Sequence, residues 1–205
     1  MDSQASGGLA FAQGMAYFSC MSKLIYINNM SLDGYVEDEN GAFDWIISQQ
    51  VHEFITELVR PMGTYLYGRR LYETMAYWDA PLDSYPPEQR NFAEVWQKAE
   101  KIVFSRTLTG ATTRNTRVER EFNVEVIRKL KQESEHDIHI GGAELAGFAL
   151  AADLVDECHL FLNPVIVGGG KPAFRRALRR NLELLETRRF DSGVIHLRYR
   201  MKVHE

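Results

Sequence analysis

Three short β-rich runs in this chain end on small residues at Gly68, Ser105 and Gly141, and each ending is followed by groups suited to an anion. Thr64–Tyr67 runs directly into Gly68-Arg69-Arg70 and a helical pattern to about Met75. Lys101–Phe104 ends at Ser105-Arg106. Asp137–Ile140 meets Gly141-Gly142, and a small-residue helix over Ala143–Ala152 begins there. Strands joined through helices lie parallel, so all three endings fall at one carboxyl edge, where ligands of open α/β sheets bind.

The remaining pattern agrees. Lys23–Met30 reads as a first strand, followed by the turn Ser31-Leu32-Asp33-Gly34 and a long loop over 31–44. Val51, Phe54, Ile55 and Leu58 recur at helical spacing from Ser48 until Pro61 stops them. Further helices are predicted over Glu88–Lys98 and Phe122–Gln132. Val155–Leu162 reads as a strand that Pro164–Val167 extends, and Glu183–Arg189 and Val194–Val203 read as a terminal hairpin. The expected fold is a three-layer α/β/α sandwich, its central sheet mostly parallel with antiparallel C-terminal edge strands. Residues 21–205 form one domain. Met1–Cys20, without a basic run that would make a signal peptide, reads as a flexible or expression-derived extension.

Charge and cysteine content narrow the function. Lys plus Arg is 24 against 28 for Asp plus Glu, a formal net charge of −4, which argues against a nucleic-acid partner. Two cysteines, Cys20 and Cys158, cannot make a disulfide framework, and a cytoplasmic setting is expected. No apolar run has the roughly 20 residues of a membrane span. His136 and His139 are the nearest thing to a metal motif, but a strand sends neighbouring side chains to opposite faces, so no metal is expected.

At Gly141-Gly142 a glycine pair before a helix lets a pyrophosphate approach exposed N–H groups; a tight turn needing positive φ would use the same residues. Arg69 and Arg70 at a helix start oppose the helix dipole, which makes sense if an anion lies between them; a surface pair bonded to carboxylates is the plain alternative. Ser105 and Arg106 add a hydroxyl and a cation. Three such sites on one edge suit a ligand with several phosphates, such as NADPH. Gly168-Gly169-Gly170-Lys171-Pro172-Ala173 fits G-x-G-x-x-A formally, but Pro172 interrupts it and too little chain follows for a Rossmann half. Arg175, Arg176, Arg179 and Arg180 could form a basic helix face, and Trp45 is the best aromatic candidate to face a ligand.

The segments KLIYINNMSLDGY (23–35), YGRRLYE (67–73), FSRTL (104–108), IGGAEL (140–145) and NPVIVGGGKPAF (163–174) occur in an order that resembles stand-alone members of the dihydrofolate-reductase-like family. They are akin to the C-terminal reductase domain of bifunctional riboflavin-biosynthesis deaminase-reductases. The resemblance implies that Asn28 and Asn29 lie beside the nicotinamide and that Asp33 to Trp45 cover it. It implies Gly68, Arg69 and Arg70 at the pyrophosphate and ribose phosphate, with Ser105 and Arg106 at the 2′-phosphate. Gly141, Gly142, Ala143, Glu144 and Leu145 would cradle the pyrophosphate. Asp33 matches a residue near the substrate in the riboflavin-pathway reductases, with a turn-forming role as the alternative. Glu53 (or His52) is the one candidate for the acid that dihydrofolate reductases carry after the covering loop. The zinc motif of the deaminase half is absent.

The expected activity is an NADPH-dependent reduction of a small heterocycle, carbonyl or imine, in the manner of 5-amino-6-(5-phosphoribosylamino)uracil reductase, by a homodimer. Dihydrofolate reduction and nucleotide binding without turnover are the alternatives.

Overall fold

A computed structural model describes residues 21–45 and 48–202; the 1–20 extension and the end of the strand expected over 194–203 lie outside the described residues. The strands are β1 (Leu24–Ser31), β2 (Tyr35–Glu37), β3 (Thr64–Gly68), β4 (Glu100–Phe104), β5 (Thr116–Glu119), β6 (Ile138–Gly141), β7 (Glu157–Asn163), β8 (Lys171–Pro172), β9 (Leu182–Arg189) and β10 (Ile195–Met201). The helices are α1 (Gln49–Val59), α2 (Arg69–Met75), α3 (Pro87–Lys98), α4 (Val124–Glu133) and α5 (Ala143–Ala151). Among the described residues the main sheet runs β5-β4-β3-β6-β1-β7-β10-β9, and β2 pairs with β8 in a small second sheet. Six strands from β5 to β7 are parallel and β10 is antiparallel to both its neighbours, as expected.

Helix boundaries follow local chemistry. The Asn123 side chain accepts hydrogen bonds from the N–H groups of Glu125 (2.9 Å) and Val126 (3.2 Å), so α4 starts later than the apolar spacing suggests. Pro87 opens α3, where its missing N–H costs nothing. On one side of the sheet Ile25, Tyr65, Tyr67 and Val103 pack with Val59 of α1 and with Phe92 and Trp96 of α3. On the other side Leu24, Tyr26, Leu66, Ile138 and Ile140 pack with Ile127 of α4 and with Leu145, Ala146 and Ala149 of α5. Leu66 and Trp96 are wholly buried. Truncating such a leucine to alanine costs about 2–5 kcal/mol.

Several local expectations are corrected. The 31–44 loop contains β2, which pairs with β8 through Tyr35–Pro172 and Glu37–Lys171; an edge strand tolerates the proline. Thr116–Glu119 forms the edge strand β5. Pro164–Val167 does not extend β7, because the N–H of Val165 turns back to the carbonyl of Asn163 at 2.8 Å. The arginines between 175 and 180 lie on no helix: this stretch is irregular and Ala177 has φ 60°.

Candidate functional site

Strand order reverses beside β6. The chain leaves β3 toward β4 and β5, returns to place β6 between β3 and β1, and then crosses to β7 on the far side of β1. A crevice opens at such a point outside the carboxyl ends of the strands. There the molecule has a cleft of about 1330 Å³, lined by Gly68–Leu71, Phe104–Thr107, Arg120–Phe122, Gly142, Glu144, Leu145, Phe148, Gly170, Lys171 and the 37–41 loop.

The projecting end of β1, which lies outside this lining, follows from register. β1 pairs with β6 only through Leu24–Tyr26, but with β7 through Ile25–Ser31. Residues 27–31 therefore project beyond β6, with their backbone edge free of that strand. Asn28 and Asn29 sit on this projection and point to opposite faces. The Asn28 amide donates to the Tyr26 hydroxyl at 2.7 Å, and the Asn29 side-chain oxygen accepts from the Asn163 amide at 2.7 Å.

At the β6–α5 turn Gly142 is the N-cap, with φ 87° and no side-chain cap. The donors of the first turn of α5 are thus left for a ligand. A Cβ on Gly141 would lie 2.6 Å from Cδ2 of Leu71, so that glycine makes room for α2. Glu144 and Leu145 line the cleft, whereas Gly141 and Ala143 do not.

The two adjacent arginines have different duties. Arg69 donates to Glu73 at 2.7 Å and to the Thr107 hydroxyl at 2.9 Å, tying α2 to the turn after β4. The Arg70 side chain is 82% exposed, and its nearest carboxylate is Glu37 at 4.0 Å. Of these two, Arg70 is therefore the less engaged by protein groups among the described residues. The Ser105 hydroxyl accepts from the N–H groups of Thr107 (3.3 Å) and Leu108 (3.0 Å), so it shapes the turn that presents Arg106.

Asp33, Trp45 and Glu53 lie outside this lining. Asp33 binds the backbone of the 167–168 loop. Hydrogen bonds from Ser31 and from that backbone hold its carboxyl below the usual range. Trp45 is half-buried. Glu53 is exposed on the solvent side of α1 and accepts from Gln49 at 2.9 Å, while His52 packs against Trp78 and Phe92. The structure thus brings Gly68, Arg69, Arg70, Ser105, Arg106, Gly142, Glu144 and Leu145 together in the lining and leaves Asn28, Asn29, Asp33, Trp45, Glu53, Gly141 and Ala143 outside it. The sequence reading missed Arg120, Lys171 and the aromatic wall of Phe104, Phe122 and Phe148. Their spacing carries no signal, since a β-strand end, a loop and a helix supply them.

Residues 22–196 match the family model described as the RibD C-terminal domain. The uncharacterized protein YyaP of Bacillus subtilis is 33% identical over 172 residues, covering 83% of this chain and 90% of that protein. A Shewanella sp. PV-4 protein whose name ties it to riboflavin biosynthesis superposes with a TM-score of 0.71 at 20% identity, covering 88% of this chain and 99% of that one. A dihydrofolate reductase of Enterococcus faecalis, complexed with NADP(H), superposes with a TM-score of 0.61 at 15% identity, covering 88% and 97%.

Proposed function

This chain belongs to the RibD C-terminal domain family, and from that premise we propose that it is an NADPH-dependent reductase of a small heterocyclic, carbonyl or imine substrate. One observation carries the reading. The uncapped N-terminus of α5, the exposed guanidinium of Arg70 and the Ser105-Arg106 turn converge on one cleft at the strand-order reversal. That arrangement suits a phosphate-rich dinucleotide whose reactive end lies along Asn28 and Asn29.

When bound, NADPH supplies a hydride to an electrophilic carbon of the substrate. The first turn of α5 and Arg70 hold the pyrophosphate, and the Ser105-Arg106 turn takes the 2′-phosphate. The free backbone edge beyond Tyr26 orients the carboxamide. Asp33, ionised at neutral pH, holds the covering loop closed and accepts hydrogen bonds, so a water rather than this carboxylate delivers the balancing proton. Trp45 closes the substrate end of that loop. The outer edge of β9, where Leu184 is 51% exposed, serves a homodimer, since a sheet edge unpaired among the described residues invites a second chain.

The substrate is proposed to resemble 5-amino-6-(5-phosphoribosylamino)uracil rather than dihydrofolate, because α1 turns Glu53 to solvent. NADPH consumption measured with ribityl- and phosphoribosyl-aminopyrimidines and with dihydrofolate tests this. Turnover of the aminopyrimidines supports it; turnover of dihydrofolate alone contradicts the substrate class. Tight NADPH binding with no consumption across the panel makes the protein a binding module instead.

A further inference from the structure

The turn after β4 is held by a residue 14 positions away. Nη1 of Arg120, just after β5, reaches the carbonyl oxygens of Ser105 (3.2 Å), Arg106 (3.3 Å) and Leu108 (2.7 Å). Three carbonyls converging on one point would repel a phosphate. A guanidinium set on them reverses the sign of that surface, and Nη1 serves all three contacts. Arg106 and Arg120 are both exposed in the cleft, and neither forms an ion pair among the described residues. The backbone N–H of Ser105 is bonded to the carbonyl of Glu119 at 2.9 Å, which fixes the root of Arg120 to the turn it supports.

An aromatic wall stands beside this cationic corner. Phe104 and Phe122 meet edge to face at 5.3 Å, and Phe122 and Phe148 lie 29° from parallel at 6.4 Å. A purine ring can rest on such a surface while a phosphate on its ribose meets the cations.

We propose that Arg120 is the positioning residue that makes this corner selective for a 2′-phosphorylated adenosine, and thereby sets the preference for NADPH over NADH. The proposal rests on the nucleotide reading of the cleft. It assigns to Arg120 two effects: shaping the Ser105–Leu108 turn and cancelling its carbonyl field.

Calorimetric titration of the full chain and of Arg120→Gln and Arg120→Lys with NADPH, NADH and adenosine 2′,5′-bisphosphate tests it. Arg120→Gln is expected to weaken NADPH and the bisphosphate about tenfold and NADH less than about twofold. Arg120→Lys, which keeps the charge but not the fork, is expected to fall between. Equal losses for NADPH and NADH would make Arg120 merely structural and overturn the proposal, as would no loss. Should Arg120→Gln not fold, the NADPH-to-NADH ratio of Arg120→Lys decides alone. A wild-type protein that binds neither nucleotide overturns the cleft reading itself; nucleotide binding with unaltered selectivity in the variants overturns the assignment of Arg120 only.

Discussion

The carboxylate of Asp33 accepts hydrogen bonds from the backbone N–H of Gly168 at 2.8 Å and from that of Val167 at 3.3 Å. The turn after β1 is therefore tied to the loop before β8. Ser31 first, then the backbone donors, hold the Asp33 pKa below its ordinary 3.8. A carboxylate with a depressed folded-state pKa stabilises above its ordinary value and loses that contribution as pH falls through the folded one. Asp33→Ala should lower kcat/KM by about tenfold to a hundredfold through a misplaced loop. The thermal midpoint should fall slightly at neutral pH, and this difference should vanish well below pH 3.8. A midpoint difference unchanged in strong acid would contradict the loop tether.

Two glycines of the same loop separate backbone strain from crowding. Gly168 has φ 78° with open space around a Cβ, whereas Gly170 has φ 125° and its Cβ would lie 2.1 Å from the carbonyl oxygen of Glu37. Gly168→Ala should cost about 1 kcal/mol. Gly170→Ala should cost about 3 kcal/mol or more and should also unseat β2 from β8. Denaturant midpoints of the two variants measure the difference; equal losses would contradict the close packing of these strands.

Three histidines sit neutral in the fold. Burial is the main cause for each, lowering His139 to about 3 and His159 and His196 to about 4 from 6.5. His159 Nδ1 lies 3.0 Å from His196 Nε2, and both ring nitrogens of His139 are buried without a partner. A base with a lowered folded-state pKa favours folding above its ordinary value. Stability should therefore decline as pH drops from 6.5 toward 4, with about one proton per histidine taken up on unfolding. His139→Phe, which sacrifices no hydrogen bond between the rings of Tyr65 and Tyr67, should flatten that slope in part, with His159, His196 and the burial-lowered His52 supplying the rest. An unchanged slope would contradict the assignment.

Glu37 lies 4.0 Å from Arg70 and 3.9 Å from Lys171, too far to bond either firmly. It lines the cleft with both cations, so on the proposed reading it competes with a bound anion for them. Glu37→Gln should tighten NADPH binding about two- to fivefold at low salt, with a smaller gain at high salt. Weaker binding in that variant would show that the carboxylate helps the ligand instead.

The frame of the site was legible because each strand ending at Gly68, Ser105 or Gly141 carries its own turn chemistry. Parallel connectivity then forces those endings to one edge. Arg70 could not be told from Arg69 in the sequence, since only the fold brings Glu73 and Thr107 to the latter. Arg120 was invisible for the same reason: its partners are carbonyl oxygens, which leave no trace in residue type. The arginines from 175 to 180 show the converse error, helical spacing overruled by the backbone at Ala177. Glu53 had the right chemistry in the right helix, but the register of α1 turns it to solvent.

Calorimetric titration of the purified protein with NADPH and with NADH addresses the central claim most directly, with Arg70→Ala as the paired variant. The account predicts that NADPH binds in preference to NADH and that losing the exposed Arg70 guanidinium weakens NADPH about tenfold. Absence of binding by either nucleotide, or binding indifferent to Arg70, would contradict it.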